Sequence, residues 1–271
     1  MHRIEAWTRE LATVPEILEV EFYRRAAEPI VGRTITAVHA PDRWFCKGGT
    51  TPEDLEAVLP GTKALALGRR GKLLLLHLDN DRTLGLRFGM TGRLMVDGQA
   101  SIEELEYSSR RWELSWDRFG LDFDGGTLRV NDPRRLGGVQ LDPEVDRLGP
   151  DALSITRVQL AAALRAAAPL KAKLLDQSAV AGMGNLLVDE TLWRAALDPA
   201  REARSLSAEE LATLHRTMRH TLKTLLRRGG SHTGDLQDQR TRDGRCPRDG
   251  TLLSRRQIGG RTTYSCSLHQ R

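Results

Sequence analysis

Two groups of residues in this 271-residue chain have types and spacings that can do chemistry. The first is PEILEVEFYRR, Pro15 to Arg25. In a helix beginning at Pro15, Glu16 and Glu19 lie three residues apart, on neighbouring face positions. Proline is common in a first helical turn, so taken alone the segment is a capped, acidic helix start. The second group is Cys246-Pro-Arg-Asp249, sixteen residues, then Cys266-Ser-Leu-His269. Two ligand-type pairs, each with two residues between its members, suit a zinc-stapled β-hairpin. Asp249 and His269 make a harder set than four thiolates would. A finger fold held without metal is the alternative.

Four further segments could contact an anion or a nucleic acid. GRRGKLLLL (68–76) presents Arg69, Arg70 and Lys72 just before an apolar strand. In RFGMTGRL (87–94), a lone Met is more often core filler, but Met90 sits on a turn between two glycines, where exposure is the expectation. NDPRRLGG (131–138) places Arg134, Arg135 and Leu136 after an Asp-Pro turn. PLKAKLLDQSAVAGMGNLLVDE (169–190) reads as helix, tight turn, helix, with glycines that let backbone N–H groups approach a phosphate.

The elements that must carry these residues fall into three sections. Residues 15–145 mix strand-like runs with Gly and Asp-Gly turns: LLLLHL (73–78), LGLRF (84–88), RLMV (93–96) and TLRV (127–130). A β-sandwich or barrel follows. Residues 146–235 are helical: VQLAAALRAAA, then LKAKLLDQSAV, then LLVDETLWRAAL. A capping box, Ser207 with Glu210, opens a last helix striped by Leu211, Leu214, Met218, Leu222 and Leu225 and stopped by Gly229-Gly230. Residues 236–271 are polar and Gly/Arg-rich, too short to bury a core without a staple or partner. The fold class is α+β.

Charge concentrates in that tail. Its eight Arg and three Asp give +5, the whole net charge of the chain, while the other residues balance at 33 basic and 33 acidic. This points to a nucleic-acid contact, with a disordered solubilising tail as the alternative. No apolar run approaches a membrane span, and the first residues lack the core of a signal peptide. Three cysteines rule out a disulfide framework, and Cys46 reads as a structural thiol.

Taken together and in order, these motifs resemble the formamidopyrimidine-DNA glycosylase / endonuclease VIII family. The resemblance covers residues 15–271. It implies an N-terminal catalytic β-sandwich with flanking helices, a helix-two-turn-helix domain and a zinc-finger-like β-hairpin. It implies base-excision repair of damaged double-stranded DNA, with glycosylase and abasic-site lyase activity, by a cytoplasmic, nucleoid-associated bacterial monomer that needs no organic cofactor. The family's N-terminal proline amine attacks the sugar, so Pro15 is the implied nucleophile. Glu16 is the implied acid/base serving the sugar, Glu19 a supporting carboxylate, and Lys72 a phosphate-holding lysine near the active site. Met90, Arg134 and Leu136 match the residues that fill the helix where the damaged nucleotide leaves. Lys171, Asn185 and Arg261 match backbone contacts, and Cys246, Asp249, Cys266 and His269 match the zinc ligands.

The sequence also departs from the family. Arg87 replaces a histidine, and Leu136 stands where the family has a stacking Phe. Only fifteen residues separate Gly230 from Cys246, too few for the lid that caps 8-oxoguanine. The expected substrates are therefore formamidopyrimidines, oxidised pyrimidines or abasic sites. Pro15 follows fourteen residues, and a proline nitrogen inside a peptide bond is an amide that cannot form a Schiff base. GTG codes for Val and can initiate as Met in bacteria, and Arg9-Glu10 can be encoded CGG-GAG, a ribosome-binding sequence. The expectation is a start at Val14 whose removal exposes Pro15. A DNA-binding relative without lyase chemistry is the alternative. A non-repair nucleic-acid protein reusing the helix-two-turn-helix is a more distant one.

Overall fold

A computed structural model describes residues 15–100, 102 and 112–271, so the expected start at Val14 lies outside the described residues. The chain forms two compact units. One holds Pro15, Val20–Gly68 and Leu73–Pro143; the other holds Glu16–Glu19, Arg69–Lys72 and Glu144–Arg271.

The first unit is the expected sandwich. Its strands are β1 (Ile35–His39), β2 (Ala64–Arg70), β3 (Leu73–Leu78), β4 (Thr83–Arg87), β5 (Arg93–Val96), β6 (Gln99–Ala100), β7 (Asp117–Phe123), β8 (Gly126–Asn131) and β9 (Gly138–Leu141). They build a sheet in the order β1-β7-β8-β5-β6 and another in the order β2-β3-β4-β9. Leu74, Leu76, Leu84 and Leu86 of one sheet and Leu94, Phe119, Leu121, Leu128 and Val130 of the other share one apolar core. Asp97 and Gly98, both at positive φ, close the β5–β6 hairpin as a two-residue turn. Helix α1 (Ile17–Ala26) gives this core Val20 and Tyr23, and the Tyr23 hydroxyl donates to Gly92 O at 3.0 Å. α2 (Pro52–Val58) starts at a capping box, Thr51 with Asp54.

The second unit carries α3 (Arg157–Ala163), α4 (Leu170–Leu175), α5 (Asn185–Ala195) and α6 (Ala208–Arg228), with the hairpin β10 (Ser254–Ile258) and β11 (Arg261–Ser265). α6 is capped as expected: Ser207 N–H donates to Glu210 at 2.8 Å and Glu210 N–H to Ser207 Oγ at 3.1 Å. Leu214, Met218, Leu222 and Leu225 are fully buried along it, and Gly229 ends it at φ +114°. α3 is shorter than the Ala-rich run predicts. Pro169 disfavours helix at the residue before it, and Ala168 O instead accepts from Ala203 N–H at 2.8 Å. The C-terminal hairpin, a section of its own in the sequence, belongs to the same compact unit as the helices.

Candidate active site

Glu16 is 1% exposed and Glu19 2%. Buried carboxylates must be satisfied, and each is. Glu16 accepts from the N–H groups of Gly184 (2.7 Å), Leu186 (2.9 Å) and Leu187 (3.2 Å), which point out of the first turn of α5. The positive end of the helix therefore receives an internal carboxylate. This corrects one expectation: the close approach of the AGMGN turn serves Glu16, not a phosphate. A Cβ at Gly184 would lie 2.2 Å from the Glu16 carboxyl carbon, so only glycine fits. Gly182, at φ +107°, faces Ile17 in the same way, and Ile17 N–H donates to its carbonyl at 3.1 Å.

Glu19 accepts from Glu16 N–H at 2.9 Å, from Ser231 N–H at 2.7 Å and from Ser231 Oγ at 2.8 Å. Lys72 acts electrostatically on both carboxylates. Burial lifts the Glu16 carboxyl from its ordinary 4.5 to about 7, and the charge of Glu19 adds to the lift; Lys72 and the α5 N–H groups oppose it. Burial pushes the Lys72 ammonium down, against the pull of Glu16 and Glu19, and Arg261 pushes the same way as burial. The arrangement can hold and release one proton near neutrality beside a cation. Of the other basic residues in GRRGK, Arg69 is tied to Asp151 at 2.6 and 3.0 Å. Arg70 donates to Leu148 O at 3.3 Å.

Lys171 departs from its expected role. It is fully buried, and its ammonium donates to Asp189 at 2.6 Å and to Thr262 O at 3.2 Å. Arg240 pairs with the other Asp189 oxygen, which also accepts Tyr264 N–H at 3.3 Å. Lys171 is thus consumed in an internal ion cluster that fastens β11 to the helices, and is not a surface phosphate ligand. Asn185 is half-buried beside it and donates to Thr262 O at 3.1 Å, while Arg261 is exposed beside the hairpin tip. Sequence reading missed Asp189 and Arg240; two buried charges of opposite sign 51 residues apart leave no local signal.

Among the described residues, Cys246, Asp249, Cys266 and His269 offer ligand atoms that all lie within 4.8 Å of one another. Cys246 Sγ is 3.6 Å from His269 Nδ1, Cys266 Sγ 3.3 Å from Asp249, and His269 Nδ1 2.9 Å from Asp249. Tetrahedral ligands at bonds of about 2.0–2.3 Å stand roughly this far apart. The surroundings fit a metal as well. Trp193, unread in the sequence, donates its indole N–H to Cys246 Sγ at 3.3 Å. Its carbonyl accepts from His269 Nε2 at 3.2 Å, which leaves Nδ1 free to ligate.

In the sandwich unit, the RFGMTGRL and NDPRRLGG turns are built together. A Cβ at Gly89 would sit 2.4 Å from the backbone of Leu136. The buried Asp132 accepts from Thr91 Oγ1 (2.6 Å), Gly137 N–H (2.8 Å) and Arg134 N–H (3.2 Å). Met90 is half-buried, Arg134 exposed and Leu136 49% exposed, so these three side chains crown one pair of loops.

Known proteins match the chain along nearly its whole length. The formamidopyrimidine-DNA glycosylase of Chloroflexus aurantiacus is 34% identical over 95% of this chain and 98% of its own. That of Paracoccus denitrificans is 35% identical over 95% of this chain and all of its own. Among solved structures, Lactococcus lactis Fpg with abasic-site DNA is 26% identical, with a TM-score of 0.78 over 94% of this chain and 99% of that one. The formamidopyrimidine-DNA glycosylase N-terminal domain matches residues 14–139 and the H2TH domain residues 148–237, and the chain belongs to the formamidopyrimidine-DNA glycosylase family.

Proposed function

We propose that the protein excises damaged bases from duplex DNA and cleaves the resulting abasic site, with Pro15 as nucleophile. A secondary amine at the chain terminus would attack the sugar C1′ and expel the base. The resulting iminium would then permit elimination of the 3′ phosphate. The observation that carries this reading is Glu16: it directly follows Pro15, is buried, and has its carboxyl near 7, the range of a group that both gives and takes a proton. Burial raises it, Lys72 opposes the rise and Glu19 adds to it. Residues 1–14 must be absent for Pro15 to offer an amine. The match to the formamidopyrimidine-DNA glycosylase N-terminal domain begins at residue 14, which is in keeping with that requirement.

Asn185 and Arg261 would grip the backbone, and Met90, Arg134 and Leu136 would fill the gap left by the displaced nucleotide. Zinc at Cys246, Asp249, Cys266 and His269 would staple the hairpin that carries Arg261. The favoured lesions are ring-opened purines, oxidised pyrimidines and abasic sites. The segment after Gly230 supports this choice, since its backbone is engaged below: Ser231 on Glu19, and Asp235 and Leu236 on Glu190 at 3.0 and 2.9 Å.

The test is borohydride trapping on abasic-site DNA, with the 271-residue chain and a form starting at Pro15. The short form should cross-link and nick; the long form should bind and trap little. Equal trapping by an untrimmed long form would move the nucleophile to another amine, with Lys72 examined first. Efficient 8-oxoguanine excision opposite cytosine in a single turnover would overturn the lesion preference.

A further inference from the structure

Leu136, which by the family resemblance stands where relatives have a stacking Phe, offers no ring. The sandwich unit carries an exposed ring close by. Trp44 is 67% exposed, although Phe45 next to it is fully buried. The short 3-10 turn Arg43–Phe45 drives Phe45 inward and leaves Trp44 facing water. Asp42 caps this turn, its Oδ1 accepting Trp44 N–H at 3.1 Å.

The same carboxylate grips Arg135, with Nε on one oxygen and Nη2 on the other, both at 2.6 Å. Arg135 lies between Arg134 and Leu136, and it adopts φ +57°, a conformation that a non-glycine residue keeps only when its surroundings impose it. A second tie holds the other side of the turn: Lys47 N–H donates to Val139 O at 2.8 Å. The Lys47 ammonium stands 4.6 Å from the centre of the Trp44 ring. An outward indole is therefore braced against the loop that bears Arg134 and Leu136, with a cation beside it. Exposed aromatic surface next to positive charge is the composition that receives single-stranded or unstacked bases.

We propose that Trp44 contacts DNA, stacking on a base exposed in the duplex at the lesion and supplying the aromatic face that Leu136 lacks. The inference rests on the reading of the Arg134–Leu136 loop as DNA-facing. A ring accepts any base, so Trp44 adds affinity with little sequence preference. Because the contact is not to phosphate, it adds nothing to the salt dependence.

The experiment compares Trp44→Ala, Trp44→Phe and Leu136→Ala in the protein form that binds abasic-site duplex. Affinity is measured together with the fluorescence of 2-aminopurine placed opposite the abasic site and at its neighbours. Trp44→Ala should weaken binding about tenfold. It should also relieve the quenching of 2-aminopurine at one position, with an unchanged melting temperature and salt slope. Trp44→Phe should retain most of both signals. Unchanged affinity and quenching in Trp44→Ala, with Leu136→Ala impaired, would overturn the inference and leave the loop reading intact. No effect from either alanine variant would sink the loop reading as well. Equal loss in Trp44→Ala and Trp44→Phe would also overturn the proposal, since stacking by a ring would not be what was lost.

Discussion

The Glu16 carboxylate and the Gly184 N–H are 168 residues apart in sequence and 2.7 Å apart in space. The contact joins the PEILEVE segment to the first turn of α5, so two motifs that look independent in the sequence are one device. A side chain at position 184 would collide with the carboxyl group it serves. Gly184→Ala should lower stability by about 1–3 kcal/mol, the usual range for overpacking. It should also reduce excision more than DNA binding, because the displaced group is the one proposed to move protons. Denaturant melts alongside single-turnover excision check this; a fully active Gly184→Ala enzyme would mean the contact is dispensable.

The raised Glu16 pKa has a sign that can be read in stability. Unfolded, the carboxyl titrates near 4.5; folded, near 7. Between these values the folded protein holds a proton that the unfolded chain has released. Glu16 therefore makes stability fall as pH rises across this window, by up to about 3 kcal/mol, and has no further effect above it. Glu16→Gln removes the dependence. Relative to wild type, the variant should gain stability as pH goes from 5 to 8 in paired denaturation curves. A pH-independent difference would place the Glu16 carboxyl at its ordinary value. In activity, excision by wild type should change slope near pH 7 and the Gln variant should be crippled throughout.

Asp189 is the keystone of the cluster that Lys171 and Arg240 complete. Asp189→Asn leaves two buried cations without their counter-charge, a loss of roughly 3–5 kcal/mol. Lys171→Met leaves Asp189 still paired with Arg240 and should cost less. Both should weaken binding to all DNA sequences alike, because Asn185 and Lys171 bond the same Thr262 carbonyl, next to Arg261 on β11. Thermal melts and binding to two unrelated duplexes give the ordering. Lys171→Met weaker than Asp189→Asn in both would contradict it.

The purified protein should carry about one zinc per chain, and a strong chelator should weaken DNA binding. Trp193 reports the event directly, since its indole N–H lies on Cys246 Sγ. Its fluorescence should change on chelation and return when zinc is restored. A metal-free preparation with full affinity would show that the hairpin is held by its other contacts alone.

Much of this was legible in the sequence, for identifiable reasons. LLLLHL and RLMV coincide with β3 and β5 because period and turn chemistry agree there. The Ser207–Glu210 box fixed the start of α6 for the same reason. That Cys246, Asp249, Cys266 and His269 gather in one place was visible because their types and spacing repeat across the hairpin. Lys171 was misjudged because its partner, Asp189, lies on another helix and its burial is a tertiary fact. α3 was drawn too long because alanine propensity speaks only for the local chain, whereas residues 168–169 pair with 202–203. Gly184 was noticed for the right property, close approach, but the anion that comes close is internal.

The chemical make-up of the Cys246, Asp249, Cys266 and His269 cluster has a consequence of its own. Peroxide and related oxidants, which generate damaged bases, also attack thiolates, carrying sulfur to sulfenic and higher acids. Carboxylate and imidazole do not follow that ladder. Asp249 and His269 halve the oxidisable sulfur that a four-cysteine quartet would expose, and Cys246 and Cys266 are 3% and 1% accessible. Were this quartet to hold zinc, half of its ligand atoms would lie off that oxidation ladder.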